Sequence, residues 1–240
     1  MKKHRTGIYG GTFDPVHNGH VALARSIADL FALDHVIFVP AFMAPHKRDV
    51  KSSPALARFA MLALATQNET GFEVSAIELE APERPYTIDT LQSFCDELED
   101  DGRRIFFLMG ADSWEEIDTW RDWEKLLTMT NHIVATRPKF NVELSAYTRE
   151  RVGSRVQDLR GLTIEEIRRI LAQLTQTQIF FTDAVMLDIS ATRIRELARL
   201  ADFATIGKLV PPSVADYIEK YNLYSDGMKD SQSDSQIVNK

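Results

Sequence analysis

The stretch that decides the fold lies close to the N-terminus and reads Gly10-Gly11-Thr12-Phe13-Asp14-Pro15-Val16-His17-Asn18-Gly19-His20. A short apolar run, Gly7-Ile8-Tyr9, precedes it, and an apolar helical pattern follows it. This order predicts a strand, a glycine-rich turn and a helix. Paired glycines let a backbone turn sharply and approach a ligand closely, and a helix N-terminus favours an anion.

Two histidines add possible hydrogen-bond donors to this turn. Residues three apart share one face of a helix, so His17 and His20 are expected on the same side of the first turn. Glycines that admit a phosphate, together with imidazoles that can touch it, predict a nucleotide-phosphate site. A glycine turn between a strand and a helix is often only a connection, and that alternative stays open for Gly10-Gly11 taken alone.

The complete string resembles the signature of the nucleotidyltransferase superfamily, G-x-F-x-P-x-H-x-G-H. Every fixed position is met, by Gly11, Phe13, Pro15, His17, Gly19 and His20. The resemblance implies that the two histidines bind the phosphates of ATP and stabilise the transition state at the α-phosphorus. The ATP-binding residues that it implies here are Gly10, Gly11, Thr12, Phe13, His17, Gly19 and His20.

The composition is that of an ordinary globular chain. It has 240 residues, of which 44% are hydrophobic and 26% charged, enough for a sizeable core. A net charge of −7 argues against nucleic-acid binding through general charge attraction. We find no signal peptide and no apolar run near the length of a membrane span. We therefore expect a cytoplasmic protein without nucleic-acid or membrane partners, and a homo-oligomer stays open.

The single cysteine, Cys95, excludes an internal disulfide framework and a cysteine zinc cluster. It shares a predicted helix face with Leu91, Phe94 and Leu98. A buried, small apolar side chain is its expected role.

Alternating strand and helix patterns predict an α/β chain: a Rossmann-like, doubly wound parallel sheet with a small C-terminal helical portion. Apolar runs predict further strands at 35–40, 72–79, 104–109, 132–138 and 178–181. A helix is expected to begin with Ser53 as N-cap and Pro54 as first residue. Its predicted buried stripe consists of Leu56, Phe59, Ala60 and Ala63.

Residues 1–224 are expected to form a single nucleotidyltransferase domain. The pattern weakens over 139–177, where a capping box at 163–166 predicts one helix. The rest of that segment is expected to be an excursion over the sheet or a contact surface. Residues 225–240 are polar and predict a disordered tail.

Loops that follow parallel strands line the ligand crevice, and four of them resemble elements of bacterial nicotinate-mononucleotide adenylyltransferases. Ala44-Pro45-His46-Lys47 resembles their P-P-H-K element with alanine for the first proline, and Pro85-Tyr86-Thr87 resembles the start of S-Y-T-x-x-T-L with proline for serine. Gly110-Ala111-Asp112 matches their G-x-D element, followed by an aromatic residue at Trp120, and Arg137-Pro138 matches their R-P step. The implied mononucleotide site consists of His46, Lys47, Tyr86, Thr87, Gly110, Asp112, Trp120 and Arg137.

Each of these residues also has an ordinary structural interpretation. The basic segment at His46 and Lys47 could be a solvated surface, Thr87 an N-cap, and Asp112 a helix cap. Arg137 could pair with an acid or cap a helix end. Trp114 and Trp123 are expected to be packing residues, whereas Trp120 is expected to be an exposed stacking platform.

A second signature, I-S-x-T-x-x-R, is met near the C-terminus by Ile189, Ser190, Thr192 and Arg195. Ser190 is placed to cap the helix that follows, whose first turn is a second possible anion site. The resemblance implies that this element is the far wall of the ATP site. Arg195 would lie on the β- and γ-phosphates.

The resemblance runs from Thr6 to Tyr224 and implies an enzyme that joins ATP and nicotinate mononucleotide into nicotinate adenine dinucleotide and pyrophosphate. No protein nucleophile is needed, because the substrate phosphate attacks directly. The implied catalytic residues are His17, His20, Lys47 and Arg195. Mg²⁺ would be held mainly by the phosphates, because it keeps several waters and few protein ligands. We therefore expect no protein metal site.

Three alternatives stay open. The acceptor could be nicotinamide mononucleotide or phosphopantetheine, or the chain could be a catalytically silent nucleotide sensor. The sequence lacks both G-x-x-x-x-G-K-[ST] and G-x-G-x-x-G, which disfavours a P-loop kinase and a dehydrogenase.

Overall fold

The computed structural model describes residues 4–42, 52–83, 85–136, 146–184, 187 and 189–225. Within this part of the chain, seven strands form one parallel sheet. They are β1 (Thr6–Gly11), β2 (His35–Pro40), β3 (Phe72–Val74), β4 (Ile105–Gly110), β5 (Asn131–Ala135), β6 (Val156–Asp158) and β7 (Ile179–Thr182).

Helices occupy most of the connections. They are α1 (Asn18–Phe31), α2 (Ala55–Thr66), α3 (Thr87–Glu97), α4 (Ala111–Glu115), α5 (Trp123–Met129), α6 (Ala146–Val152), α7 (Ile164–Ala172), α8 (Ala191–Arg199), α9 (Phe203–Leu209) and α10 (Pro212–Lys220). The last three form the predicted small C-terminal helical portion. No helix in the described ranges combines the length and the apolar character that a membrane crossing requires.

The sheet separates two apolar cores, because successive residues of a strand point to opposite faces. Tyr9 and Phe106 pack on the face covered by α1, α2, α7 and α8 to α10, whereas Ile8 and Phe107 pack on the face covered by α3, α4 and α5. Strands buried on both faces need continuous apolar sequences. This arrangement confirms the predicted doubly wound parallel sheet.

The strand order is β3-β2-β1-β4-β5-β7-β6. The chain therefore builds outward from β1 in one direction through β2 and β3, and then returns to start the other half at β4. In open α/β sheets, ligands bind where the order reverses, outside the carboxyl ends of the strands. The glycines that end β1 and Gly110, which ends β4, meet at this point.

Helix α2 departs from its predicted start and its predicted buried face. It begins at Ala55 with Pro54 at the N-cap position and no side-chain cap. Leu56 is 76% exposed, Ala63 is exposed, and Arg58 is buried instead. The helix is apolar nearly all round, so periodicity does not select a side.

Two other local predictions are wrong. The strand predicted over 72–79 ends at Val74, and a turn follows. Leu98 is 42% exposed because α3 ends at Glu97, although Cys95 is buried as predicted.

Residues 139–177 contain an unpredicted strand. Within the described part of that segment, β6 pairs with β7 at one edge of the sheet, and the predicted capping box starts α7. A strand of three residues is too short to produce a readable alternation. The boundaries of the predicted domain itself stay a prediction.

Candidate active site

The glycine-rich turn is shaped by aromatic rings. A Cβ at Gly10 would lie 3.0 Å from Cε2 of Phe107, and a Cβ at Gly11 would lie 2.9 Å from Cζ of Phe13. Phe13 is buried and has a left-handed backbone with φ of 49°. Its ring lies 5.1 Å from the ring of His20. Gly10 and Gly11 therefore leave room for the rings of Phe107 and Phe13, and the ring of Phe13 in turn contacts that of His20.

His17 and His20 form a stacked pair at the start of α1. Their ring centroids are 3.7 Å apart with an interplanar angle of 24°. His17 is the N-cap residue, and its backbone N–H donates to Nδ1 of His20 at 3.2 Å. Because Nδ1 of His20 accepts this bond, the neutral ring carries its proton on Nε2. A donor is thereby set on the ring atom that points away from its own backbone.

Burial keeps both imidazoles neutral. It lowers the pKa of His17 to about 4. The pKa of His20 is well below its usual value because of burial and the neighbouring His17. An arriving phosphate would favour the charged form and raise both pKa values. The pair can therefore donate hydrogen bonds to an anion and gain a proton as negative charge builds up.

Gly19 permits this stacking. A Cβ there would lie 3.0 Å from Nδ1 and 3.1 Å from Cε1 of His17, closer than ordinary contact. The ring of His17 thus takes the space that a side chain at Gly19 would fill.

The two signatures are joined by Arg195. Its Nη1 donates to the backbone oxygen of Asp14 at 2.7 Å, and its Nη2 donates to Oγ1 of Thr192 at 3.1 Å. Asp14 lies in the glycine-rich turn and Thr192 in the first turn of α8. The second signature therefore packs against the first.

Ser190 takes the predicted N-cap position of α8, but its side chain makes no cap hydrogen bond within the described structure. The backbone of Ser190 is extended, with φ of −115° and ψ of 126°, and the residue is exposed. The prediction of a capping hydroxyl is therefore wrong. Ile189 beside it is half-buried and packs on the core.

Tyr86 and Thr87, two of the residues proposed for the mononucleotide site, lie at the start of α3. Tyr86, not the predicted Thr87, is the N-cap residue of α3, because the carboxylate of Asp89 accepts the N–H of Tyr86 at 3.0 Å. Arg121 places its guanidinium carbon 4.7 Å from the centroid of the Tyr86 ring. The residue next to Trp120 thus contacts the α3 element.

Trp120 is half-buried, not fully exposed as predicted. Its ring centroid lies 6.5 Å from that of Phe107, the same ring that lies against Gly10. One phenylalanine thus lies between the glycine-rich turn and the tryptophan. Trp114 and Trp123 are buried packing residues, as expected.

Gly110 and Asp112 follow β4 at the same end of the sheet. Gly110 is the N-cap residue of α4, so Asp112 is not the cap. Among the described residues, no atom lies within 4 Å of a Cβ built at Gly110, so they leave space above this strand end. His46, Lys47 and Arg137 lie outside the described residues. Among the residues that the structure describes, no group of three His, Cys, Asp or Glu side chains could hold a metal ion.

Four residues near the turn were not predicted from sequence: Asp14, Arg58, Glu78 and Tyr224. Glu78 accepts from Oγ1 of Thr90 at 2.9 Å and from the N–H of Phe42 at 3.2 Å, so it joins α3 to the end of β2. Arg58 carried a readable signal, since it is the charged residue of an otherwise apolar α2. Asp14 stands inside the signature at a position that the signature leaves open, and Glu78 and Tyr224 occur at positions without any distinctive pattern.

Comparison with known proteins identifies the family of this chain. Residues 8–197 match the family model described as cytidylyltransferase-like. A probable nicotinate-nucleotide adenylyltransferase of Thermoanaerobacter sp. (strain X514) is 39% identical over 220 residues, which is 92% of this chain and 94% of that protein. The corresponding protein of Desulfatibacillum aliphaticivorans is 35% identical over 92% of this chain and 99% of its own.

Solved structures support the fold. The nicotinic acid mononucleotide adenylyltransferase of Plasmodium falciparum complexed with APC has a TM-score of 0.64 at 21% identity, over 92% of this chain and 97% of that one. The same enzyme complexed with NaAD has a TM-score of 0.64 at 22% identity, over 91% of this chain and 96% of that one. The chain therefore belongs to the cytidylyltransferase-like family and, within it, to the nicotinate-nucleotide adenylyltransferases.

Proposed function

We propose that this chain joins the AMP part of ATP to nicotinate mononucleotide and releases pyrophosphate. A phosphate oxygen of the mononucleotide attacks the α-phosphorus, a new P–O–P link forms, and the bond from the α-phosphorus to the pyrophosphate oxygen breaks. The observation that carries this proposal is the stacked His17–His20 pair at the N-terminus of α1, beside the switch point of the sheet.

In this proposal the enzyme positions its substrates and neutralises charge. His17 and His20 donate to the triphosphate, most strongly when negative charge builds up around the α-phosphorus. Arg195 supports the β- and γ-phosphates, with hydroxyls from Ser190 and Thr192 and the backbone of Ile189 beside it. Gly10, Gly11, Thr12, Phe13 and Gly19 form the remainder of the ATP site. The contact of Arg195 with Asp14 supports one continuous phosphate site.

We assign the acceptor to the other side of Phe107. Tyr86, Thr87 and Trp120 hold the pyridine ring, and Gly110 and Asp112 border the space above β4. The contact of Arg121 with Tyr86 supports this grouping. His46, Lys47 and Arg137 are assigned to the acceptor by motif alone, and Lys47 to the catalytic set.

Mg²⁺ is proposed to enter with ATP. It keeps several of its waters and is bound largely by substrate phosphates. The ion would lower the negative charge that the attacking phosphate meets.

The test is pyrophosphate release with ATP and Mg²⁺, with nicotinate mononucleotide, nicotinamide mononucleotide and phosphopantetheine offered separately. We expect a strong preference for nicotinate mononucleotide. A preference for either other acceptor would keep adenylyl transfer and overturn the acceptor assignment. No release with any of them, while ATP still binds, would favour the nucleotide sensor.

A further inference from the structure

Arg58 is a fully buried cation that the proposed reaction does not use. It is 1% exposed, and its guanidinium donates to three backbone oxygens: Thr12 at 2.8 Å, Ser53 at 3.2 Å and Phe42 at 3.3 Å. Burying a charge is unfavourable unless it is well bonded. One planar group therefore joins the glycine-rich turn, the segment after β2 and the approach to α2.

Asp14 supplies the compensating negative charge on the same turn. It is 7% exposed, and Oδ2 accepts from the N–H of Ser53 at 3.0 Å. Oδ1 accepts from the hydroxyl of Tyr224 at 2.8 Å. The carboxylate thus attaches the turn to the approach to α2 and to the segment that follows α10.

The turn is consequently held at two backbone oxygens two residues apart. Arg58 binds the oxygen of Thr12, and Arg195 binds the oxygen of Asp14. His17, whose ring stacks on His20, follows three residues later. A shift of these oxygens would be passed to the imidazoles, because the intervening Pro15 and Val16 are buried and cannot move independently.

We propose that Arg58, Asp14 and Tyr224 form a positioning cluster that sets the glycine-rich turn so that His17 and His20 are aligned for the α-phosphate. The proposal rests on the proposed function for its kinetic consequences. Their hydrogen bonds given above are all to protein atoms, so they are proposed to act through the backbone of residues 12–17.

The first variant is Tyr224→Phe, which removes only the hydroxyl that Asp14 accepts. A misplacement of catalytic groups by ~1 Å can cost on the order of 100-fold in rate, so a partial shift predicts a kcat decrease of roughly tenfold. The KM values for ATP and for the mononucleotide should change less than about threefold. Tyr221→Phe is the matched control, because Tyr221 is 54% exposed. This substitution should leave kcat unchanged.

A double-mutant cycle separates positioning from general weakening. Asp14→Asn and Tyr224→Phe act on one hydrogen bond, so the double variant should be about as slow as the slower single variant. Arg58→Lys keeps the charge but cannot reproduce a three-way fork, and we expect it to be slower than wild type and faster than Arg58→Met. Thermal unfolding identifies any variant that fails to fold. If the variants of Asp14 or Arg58 fail to fold, the kcat of Tyr224→Phe still tests the positioning cluster.

A readout without turnover makes the test independent of the acceptor. In protein labelled with ¹³C-histidine, Tyr224→Phe should shift the ring signals of His17 and His20, and Tyr221→Phe should not. A folded Tyr224→Phe variant with wild-type kcat and unshifted ring signals would overturn the positioning cluster. If the ring signals shift in Tyr224→Phe but the wild-type protein releases no pyrophosphate, the positioning cluster is supported and the proposed function is rejected.

Discussion

Replacing Gly19 with alanine should slow the reaction without weakening the fold. The new Cβ would lie 3.0 Å from Nδ1 and 3.1 Å from Cε1 of His17, whereas ordinary contact begins at 3.4 Å. The backbone oxygen of Leu187 lies 3.7 Å from the same Cβ, in ordinary contact. The imidazole of His17 must therefore move by about 0.4 Å, the difference between 3.4 and 3.0 Å.

The expected loss follows from that displacement. If a shift of ~1 Å costs about two orders of magnitude in rate, 0.4 Å costs roughly 0.8 of an order, or about sixfold in kcat. The thermal stability, unlike kcat, should not fall. Gly19 lies in the first turn of α1, where alanine is the better helix former by up to ~1 kcal/mol. The melting temperature should hold or rise slightly.

The assay is pyrophosphate release under saturating substrates, with thermal unfolding followed by circular dichroism. Gly207→Ala is the matched control, because a Cβ there meets no atom of the described residues within 4 Å, and it should keep wild-type kcat. Wild-type kcat in Gly19→Ala would refute the argument that ring placement limits the rate. A large fall in melting temperature would refute the claim that the strain is confined to the ring.

Three further changes test the site and the core. His20→Ala should lower kcat about 10²- to 10³-fold, the usual cost of one transition-state donor, with an unchanged circular dichroism spectrum; unchanged turnover would remove the proposed mechanism. Trp120→Ala should raise the KM for the mononucleotide more than the KM for ATP, and the reverse ranking would place the acceptor elsewhere. His132 is fully buried with its pKa lowered by burial to about 4, so the unfolded chain, at about 6.5, binds its proton first and stability is lost as pH falls from about 6.5 to 4. At pH 5 the contribution of His132 to this loss of unfolding free energy is about 2 kcal/mol. Urea unfolding at pH 7.5 and at pH 5 should show that His132→Asn removes this contribution, whereas His4→Asn, at an exposed position, does not. Equal losses of stability at pH 5 in wild type and in His132→Asn would contradict this.

The sequence was sufficient wherever one short segment contains all the information. His17 and His20 are three residues apart at a helix start, so their stacking follows from helix geometry once the turn is recognised. The parallel sheet followed from apolar runs separated by helical patterns. Trp114 and Trp123 were correctly expected in the core, whereas Trp120 is partly covered by Phe107, which its own surroundings in the sequence could not indicate.

Hydrogen-bond partners explain the wrong predictions for α2 and for Thr87. Helix α2 is apolar on several sides, and its orientation is set by the carbonyl oxygens that Arg58 reaches on other segments. Ser190 was expected to behave as a local cap, but its side chain makes no such bond within the described structure. Thr87 failed as a cap because Asp89 binds the N–H of the preceding residue. For α2 and for Thr87 a competing partner decided the outcome, and periodicity carries no information about partners.

The amino-acid sequence by itself determined the strand–turn–helix element, the fold class and the candidate phosphate-binding residues, because these depend on neighbours within a few positions. Only the tertiary structure decided how the turn is held. Asp14 meets Arg195 across 181 positions and Tyr224 across 210 positions. These contacts exist because the strand order brings distant segments to one end of the sheet, and buried charges there must find partners wherever the chain provides them.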